Sequence, residues 1–254
     1  MSAAAVVVRQ ARLEQHAFWR NPESAFFTFA LPVGLLVIFG ATSGTEPIPD
    51  RPDLSAATFL VPRMLAFGII LAAYASLAAT IAVLRSDGVL KRIRATPLAP
   101  GAYIAGQLLS VLTTCLLIAV TTIGVGAVAF SSTPASARSG VALAVTLCLG
   151  ITCFAALGLA ISAFIPDGAA AGAITNGTYI PLALISGTFD TNLQLPTWLD
   201  TVVSALPIKA LTDGLRLGYD PAAPMWPTSE LAVLAVWAVL GITLALRHFR
   251  WEPR

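Results

Sequence analysis

Long apolar runs separated by short polar segments dominate the pattern of this chain. A helix of about 20 apolar residues crosses the hydrocarbon core of a bilayer, so such runs predict membrane spans. Six runs qualify, at about residues 25–41, 59–84, 102–130, 139–164, 169–189 and 228–247. The pattern predicts an all-α integral membrane protein, with residues 1–24 as an N-terminal segment and residues 25–254 as a single six-span domain.

Composition supports the membrane class. The 254 residues are 57% hydrophobic and 11% charged, whereas a soluble domain is about 25% charged. The three cysteines all fall inside apolar runs, at Cys115, Cys148 and Cys153. We interpret them as small packing residues, because an odd set inside the membrane fits neither a disulfide framework nor a metal site.

The basic residues predict the orientation, because Lys and Arg collect on the cytoplasmic side of span ends. Most of them flank one set of ends: Arg9, Arg12, Arg20, Arg85, Lys91, Arg92, Arg94, Arg247, Arg250 and Arg254. The first loop on the other side is acidic, with Glu46, Asp50 and Asp53. Both termini and the 85–101 loop are therefore predicted to be cytoplasmic, in a multi-pass protein of the inner membrane.

Residues 5–20 predict an amphipathic helix before the first span. On a helix, its cations share one face, and Trp19 suits the membrane interface. The residues concerned are Arg9, Arg12, His16, Trp19 and Arg20. Gln10 and Glu14 interrupt the apolar face. We predict a helix lying in the lipid headgroup layer, and the alternative is a solvated basic tail.

The segment 190–227 alternates apolar and charged residues. Pro196 and Pro207 stand where two short helices would begin, and Lys209 can pair with Asp213 one turn later. We predict two short re-entrant helices in the outer leaflet that cap the fifth span.

Several classes of chemistry have no matching residues. No phosphate-binding loop motif is present, the only lysines are Lys91 and Lys209, and the only histidines are His16 and His248. No charge lies at the middle of a predicted span, which argues against ion-coupled transport. We predict a chain that is not an enzyme, carries no metal or other cofactor, and binds no nucleic acid.

The loop between the second and third predicted spans is the most informative stretch. Residues Gly88–Ala95 predict a short helix with Leu90 and Ile93 on one side and cations around them, ended by Thr96-Pro97. A short charged helix of this kind forms a compact knob, which can dock in a cleft on a partner protein and transmit a displacement. The alternative is an ordinary basic loop on the cytoplasmic side.

The sequence of that loop, RSDGVLKRIRATPLAPGAYIAGQLL, resembles the ABC-2 type transporter permeases. The match runs in order through Gly88, Leu90, Lys91, Arg92, Ile93, Arg94, Ala95, Thr96, Pro97 and Leu98. Ser86-Asp87 stands where that family usually has a Glu. Residues 185–216 resemble a second family region, through Ser186, Gly187, Phe189, Leu195, Pro196, Trp198, Leu199, Leu206, Pro207, Leu215 and Arg216. Drug-resistance or lipid exporters look closest.

The resemblance implies a permease that pairs with a separate ABC ATP-binding subunit, which binds ATP and Mg. Two permeases, identical or paralogous, would assemble with two ATPases. The loop helix would be the coupling helix, and the N-terminal helix would also touch the ATPase. The coupling residues are then Asp87, Gly88, Leu90, Lys91, Arg92, Ile93, Arg94, Thr96 and Pro97.

The substrate path is marked only by polar residues in the fifth predicted span. Thr175, Asn176 and Thr178 could contact a ligand or simply bond between helices. We predict export of a hydrophobic or amphipathic substrate, namely a drug, a lipid or a lipid-linked glycan. The alternative function is a stand-alone membrane enzyme or scaffold that acts on lipids.

Overall fold

The structure is a computed structural model that describes residues 2–43, 47–48, 51–95, 98–186, 196–224 and 226–249. These residues are almost entirely helical. The helices are α1 (Ala3–Arg20), α2 (Pro22–Ala25), α3 (Leu31–Ser43), α4 (Ala56–Ile69), α5 (Leu77–Ser86), α6 (Val89–Arg94), α7 (Pro100–Phe130), α8 (Ala137–Ser162), α9 (Gly168–Ile185), α10 (Thr197–Ser204), α11 (Pro207–Leu217) and α12 (Thr228–His248).

Two π-helical segments and one small hairpin complete the described secondary structure. The first π segment, Phe26–Ala30, joins α2 to α3, and the second, Ile70–Ser76, joins α4 to α5. The hairpin pairs β1 (Pro47–Ile48) with β2 (Arg51–Ser55) in an antiparallel arrangement. π-Helical turns inside α-helices are often found at functional sites.

Four helices in the described part of the chain are long and apolar enough to cross a membrane. They are Thr58–Ser86, which contains the second π segment, together with Pro100–Phe130, Ala137–Ser162 and Thr228–His248. They coincide with predicted spans two, three, four and six, and the all-α membrane class is confirmed. Predicted span one falls on the shorter apolar helix Phe26–Thr42, and predicted span five falls on the 18-residue α9. The count of six spans stays a prediction.

The spans differ in how deeply they are buried in the bundle. In the most apolar stretch of Thr58–Ser86, 67% of the residues are buried, against 22% in α12. Thr58–Ser86 and α8 therefore form the centre of the bundle. α12 lies at the periphery and leaves large apolar side chains such as Val239 and Leu246 exposed.

Glycines allow the central backbones to touch. A Cβ on Gly158 of α8 would lie 2.7 Å from the carbonyl oxygen of Ala73 in the second π segment. A Cβ on Gly241 of α12 would lie 2.9 Å from the backbone nitrogen of Leu157 in α8. Close approach of this kind increases van der Waals contact, which drives helix association in lipid.

α10 and α11 form a helical hairpin that packs into the bundle. Leu211 of α11 contacts Gly150 near the middle of α8, whereas Gly218, just after α11, contacts Leu143 near the start of α8. α11 therefore runs along the first half of α8, and its N-terminal end lies closest to the middle of the bundle.

The turn of that hairpin is tied to the middle of α12. The indole Nε1 of Trp237 donates a hydrogen bond to the carbonyl oxygen of Ala205 at 2.8 Å. Our expectation that the hairpin caps the fifth predicted span needs correction. α11 packs chiefly on α4, α8 and α12, and it meets α9 only at its edge. Its apolar face, with Ile208, Leu211 and Leu215, fits the groove between these three helices.

The helix ends lie at the two ends of the bundle in the arrangement that the charge pattern predicts. At the end of the bundle that carries α6, Arg85 bonds to the end of α8, and Phe164 lies 5.7 Å from the His248 ring at the end of α12. At the opposite end, Arg216 lies 5.3 Å from the Phe59 ring. The grouping agrees with the predicted alternation of loops, and which end is cytoplasmic stays a prediction.

Candidate functional site

α6 forms a short knob at one end of the bundle. Gly88 has φ +68°, a left-handed conformation that costs glycine little, and this reversal separates α5 from α6. The predicted helix Gly88–Ala95 is observed as Val89–Arg94, with Gly88 and Ala95 as its bounding residues. Thr96 and Pro97 lie outside the described residues.

The two sides of α6 have different partners. Leu90 is fully buried in the main apolar core, and Ile93 packs against the same cluster. Lys91 and Arg92 are exposed, as is Asp87. The apolar residues therefore hold the knob on the helix bundle, and Leu90 has no surface left for an outside partner.

One hydrogen bond fixes an α6 cation beside the preceding turn. Nη2 of Arg92 donates to the carbonyl oxygen of Asp87 at 3.0 Å. Arg92 thus closes the turn around Gly88 and still leaves most of its side chain in solvent. The side chain of Arg94 is outside the described part of the chain.

The connection between α8 and α9 lies directly beside this knob. Gly168, the first residue of α9, touches Val83 and Ser86 at the end of α5. Asp167 caps α9 by accepting a hydrogen bond from the Ala170 N–H at 2.8 Å. We call α6 together with residues 163–168 the knob face.

Arg85 lies beneath the knob face rather than on it. It is only 4% exposed, and its guanidinium donates to the carbonyl oxygens of Ser162, at 2.8 Å, and Ile165. The charge pattern groups it with the basic residues at the cytoplasmic span ends and does not predict its burial. The missed signal was helical spacing, because Arg85 continues the stripe of the fully buried Ala78, Ile81 and Ala82.

α1 packs along the first half of α7 through polar residues. Nε2 of Gln15 donates to the Ser110 carbonyl oxygen at 2.6 Å, with Ser110 Oγ at 3.0 Å and Thr114 Oγ1 at 2.8 Å. Gln10 lies against Gly106, where a larger residue has no room. The contacts advance in the same direction on both helices, so α1 runs alongside α7.

Glu14 lies in the same contact. Burial raises the pKa of its carboxyl group, and hydrogen bonds from Gln10 and Gln107 oppose that shift. Our interpretation of Gln10 and Glu14 as interruptions of an apolar face needs correction. They are part of the face that meets α7, because α7 presents hydroxyl and amide groups there.

The opposite surface of α1 carries the predicted basic face. All its members are exposed, namely Arg9, Arg12, His16, Trp19 and Arg20. Trp19 also packs edge-on against Phe29 in the first π segment, with the ring centroids 5.6 Å apart. Beside the cations, Leu13 is 58% exposed. Cations next to exposed apolar side chains are typical of a helix at a lipid surface, and that location stays a prediction.

The three predicted path residues on α9 do not share one surface. Thr175 is 2% exposed and bonds to the carbonyl oxygen of Ala171 at 2.8 Å on its own helix. Thr178 donates to the Thr175 carbonyl oxygen at 2.8 Å. Asn176 is exposed, and its amide makes no hydrogen bond in the part of the chain that the structure describes.

A tyrosine that the sequence did not single out joins this group. The hydroxyl groups of Tyr74 and Thr178 lie 2.8 Å apart. Because the Thr178 hydroxyl donates within its own helix, Tyr74 is the donor in this pair. Tyr74 belongs to the second π segment, so the pair links the central span to α9.

The long apolar helices define a multi-pass membrane protein. A comparison with protein families finds a match to the model described as ABC-2 type transporter over residues 5–219. The chain belongs to the ABC-2 type transporter family, as the resemblance implied, and is a transmembrane permease component of an ABC transporter. No curated protein matches it.

Proposed function

We propose that this chain is the permease of an ATP-driven exporter powered by a separate ABC ATP-binding subunit. The observation that carries the proposal is the arrangement of α6, with Leu90 buried in the core and Lys91 and Arg92 facing outward. A knob fixed on one side and charged on the other suits docking into an acidic cleft, because complementary charge steers and orients association. The ATP and Mg would be bound entirely by that subunit.

The topology belongs to the same proposal. The chain would cross the inner membrane six times, with Phe26–Thr42 and α9 as the first and fifth spans and with both termini and α6 in the cytoplasm. His248 at the end of α12 lies beside Phe164, at the α6 end of the bundle. The neighbouring Arg247 therefore supports this orientation by the positive-inside rule.

A second permease would complete the path across the membrane. α9 leaves Gly172, Asn176 and Gly177 exposed, and a Cβ on either glycine would have open space around it. Small residues on an open face allow a second helix to approach closely. We infer an assembly of two permeases and two ATPases, with α9 near the line where the permeases meet.

α1 would lie against the inner leaflet in this assembly. Its exposed cations would contact lipid phosphates and the ATPase, while Gln15 holds it on α7. Because Gln15 bonds to both Ser110 and Thr114, α1 and the first half of α7 would move together.

The cargo would be hydrophobic or amphipathic: a drug, a lipid or a lipid-linked glycan. The exposed polar groups on α9 are few and uncharged, which suits such a molecule and does not suit an ion. Asn176 is the path residue favoured by its exposure, whereas the burial of Thr175 removes it from the surface.

Replacing Asn176 with Leu is expected to reduce the ATPase stimulation by hydrophobic drugs and phospholipids in the reconstituted complex, by about 5-fold for the best ligand, since the ligand would lose an amide hydrogen-bond partner. Thr113→Leu is the matched control, because Thr113 is exposed on α7 and bonds only back to Leu109. Equal stimulation of N176L and wild type across the panel would assign Asn176 to helix packing.

The proposed function is tested by purifying the tagged chain from its native membrane in mild detergent. We expect an ABC ATPase to copurify in a one-to-one ratio, and the complex to hydrolyse ATP. Mass spectrometry identifies the ATPase and any bound lipid or drug. Recovery of the chain alone, with no ATPase under several detergents or in nanodiscs, would refute the proposal.

A further inference from the structure

Arg85 ties the helix that precedes α6 to the connection between α8 and α9. Its guanidinium is buried and donates to the carbonyl oxygens of Ser162 and Ile165, which belong to the last turn of α8 and to the loop that follows it. Gly88, where α6 begins, lies one turn further along the chain.

The hydrogen bonds between Arg85 and the end of α8 are expected to be strong. The last carbonyl groups of a helix lack partners within it and carry the negative end of the helix dipole, so a cation is favoured there. A buried guanidinium is costly unless its N–H groups are bonded. Separation of α5 from α8 would leave both the cation and the carbonyl oxygens without these bonds, and the two helices are therefore expected to move together.

A second contact brings α9 into the same joint. A Cβ on Gly168 would lie 3.0 Å from Cγ2 of Val83 and 3.1 Å from Oγ of Ser86. The last turn of α5 thus touches both the end of α8 and the first residue of α9. A Cβ at Gly168 fits only if Val83 and Ser86 give way by a few tenths of an ångström, so a large side chain there would push α9 away from α5.

We propose that Arg85 is a positioning residue that makes α6 and the start of α9 move as one body. This inference rests on the proposed function. When the ATPase displaces α6, α5 follows because the two helices are joined by the turn at Gly88. Arg85 carries the displacement to the end of α8 and to the loop that leads into α9. The exposed cations bind the ATPase, and the buried one passes on the motion.

The test follows movement directly. In a cysteine-free background, spin labels at the exposed Ala169 of paired permeases report the position of α9, and labels at the exposed Ala95 report that of α6. Distances are measured by pulsed EPR with and without ATP in the copurified complex. In the wild type, we expect ATP to shift both distances.

Arg85→Met keeps the apolar length of the side chain and removes its donors. We expect the ATPase to copurify as in the wild type, and basal ATP hydrolysis and the shift at Ala95 to persist. The shift at Ala169 should be lost or strongly reduced, because the hydrogen bonds to the end of α8 and the loop before α9 are gone. Arg85→Lys keeps the charge but lacks the planar fork, so it should fall between the two. Arg138→Met, an exposed arginine at the other end of α8, is the control and should behave as the wild type.

The contrary result is an unchanged ATP-driven shift at Ala169 in R85M, which would overturn the inference. If R85M does not assemble, Gly168→Leu pushes α9 away from α5 without touching Arg85, because even a Cβ there is tight against Val83 and Ser86. A reduced shift at Ala169 in G168L supports the joint, and a normal shift rejects it. Failure of the proposed function itself would be seen in the wild type, as a chain that copurifies with no ATPase.

Discussion

Reversing charge on α6, by Lys91→Glu, Arg92→Glu and Arg94→Glu together, is expected to release the ATPase while the permease stays folded in the membrane. Lys91 and Arg92 are exposed and carry no part of the core. Within the chain the change removes the Arg92 hydrogen bond to the Asp87 carbonyl oxygen, so its main effect is expected on the partner. Close interfacial charge pairs couple strongly, and reversal replaces attraction with repulsion. We expect affinity to fall by about 100-fold or more.

The measurement is copurification of the ATPase with tagged permease, together with ATP-dependent transport in proteoliposomes. Arg138→Glu, a reversal of an exposed cation at the other end of α8, controls for net charge and should leave the complex intact. The unfolding temperature of the permease alone should match the wild type. A triple variant that still retains the ATPase and transports normally would remove α6 from the interface.

Gly158→Ala is expected to be among the most destabilising single-methyl changes in the chain. The added Cβ would lie 2.7 Å from the Ala73 carbonyl oxygen and 3.0 Å from that of Tyr74. Both obstacles are backbone atoms, which cannot rotate aside as a side chain does. Overpacking of this kind costs about 1–3 kcal/mol, and α8 must move away from the second π segment to accommodate it.

Thermal unfolding in detergent, followed by size-exclusion chromatography with fluorescence detection, measures this cost. Gly140→Ala lies on the same helix and meets open space, so it should be neutral or slightly stabilising, because alanine favours helix more than glycine does. If the two variants unfold at the same temperature, α8 and the second π segment are not in contact as described.

The helix of the α6 knob was predictable because its signals are local. The cations mark the loop, and Leu90 and Ile93 share one side of the predicted helix. The structure agrees on the helix, whereas the left-handed turn at Gly88 and the burial of Leu90 in the core were not predicted. The sequence left open whether apolar or basic residues grip a partner, and burial of Leu90 within the chain favours the basic ones.

Polar residues were harder to place, because their surroundings depend on other helices. Gln10 and Glu14 look like defects in an amphipathic helix until Gly106 and Gln107 of α7 lie opposite them. Arg85 looks like one more cation of a basic loop until the end of α8 supplies its acceptors.

The sequence alone determined the membrane class, the four long apolar helices, the amphipathic α1 and the knob at α6, since hydropathy, helical periodicity and turn chemistry act over short stretches of chain. Only the tertiary structure decided which polar groups meet. It placed Arg85 on the carbonyl oxygens of α8, Gln15 on α7 and Tyr74 on Thr178. Hydrogen bonds of this kind form between residues far apart in sequence, and their partners are fixed by how the helices pack rather than by any local pattern.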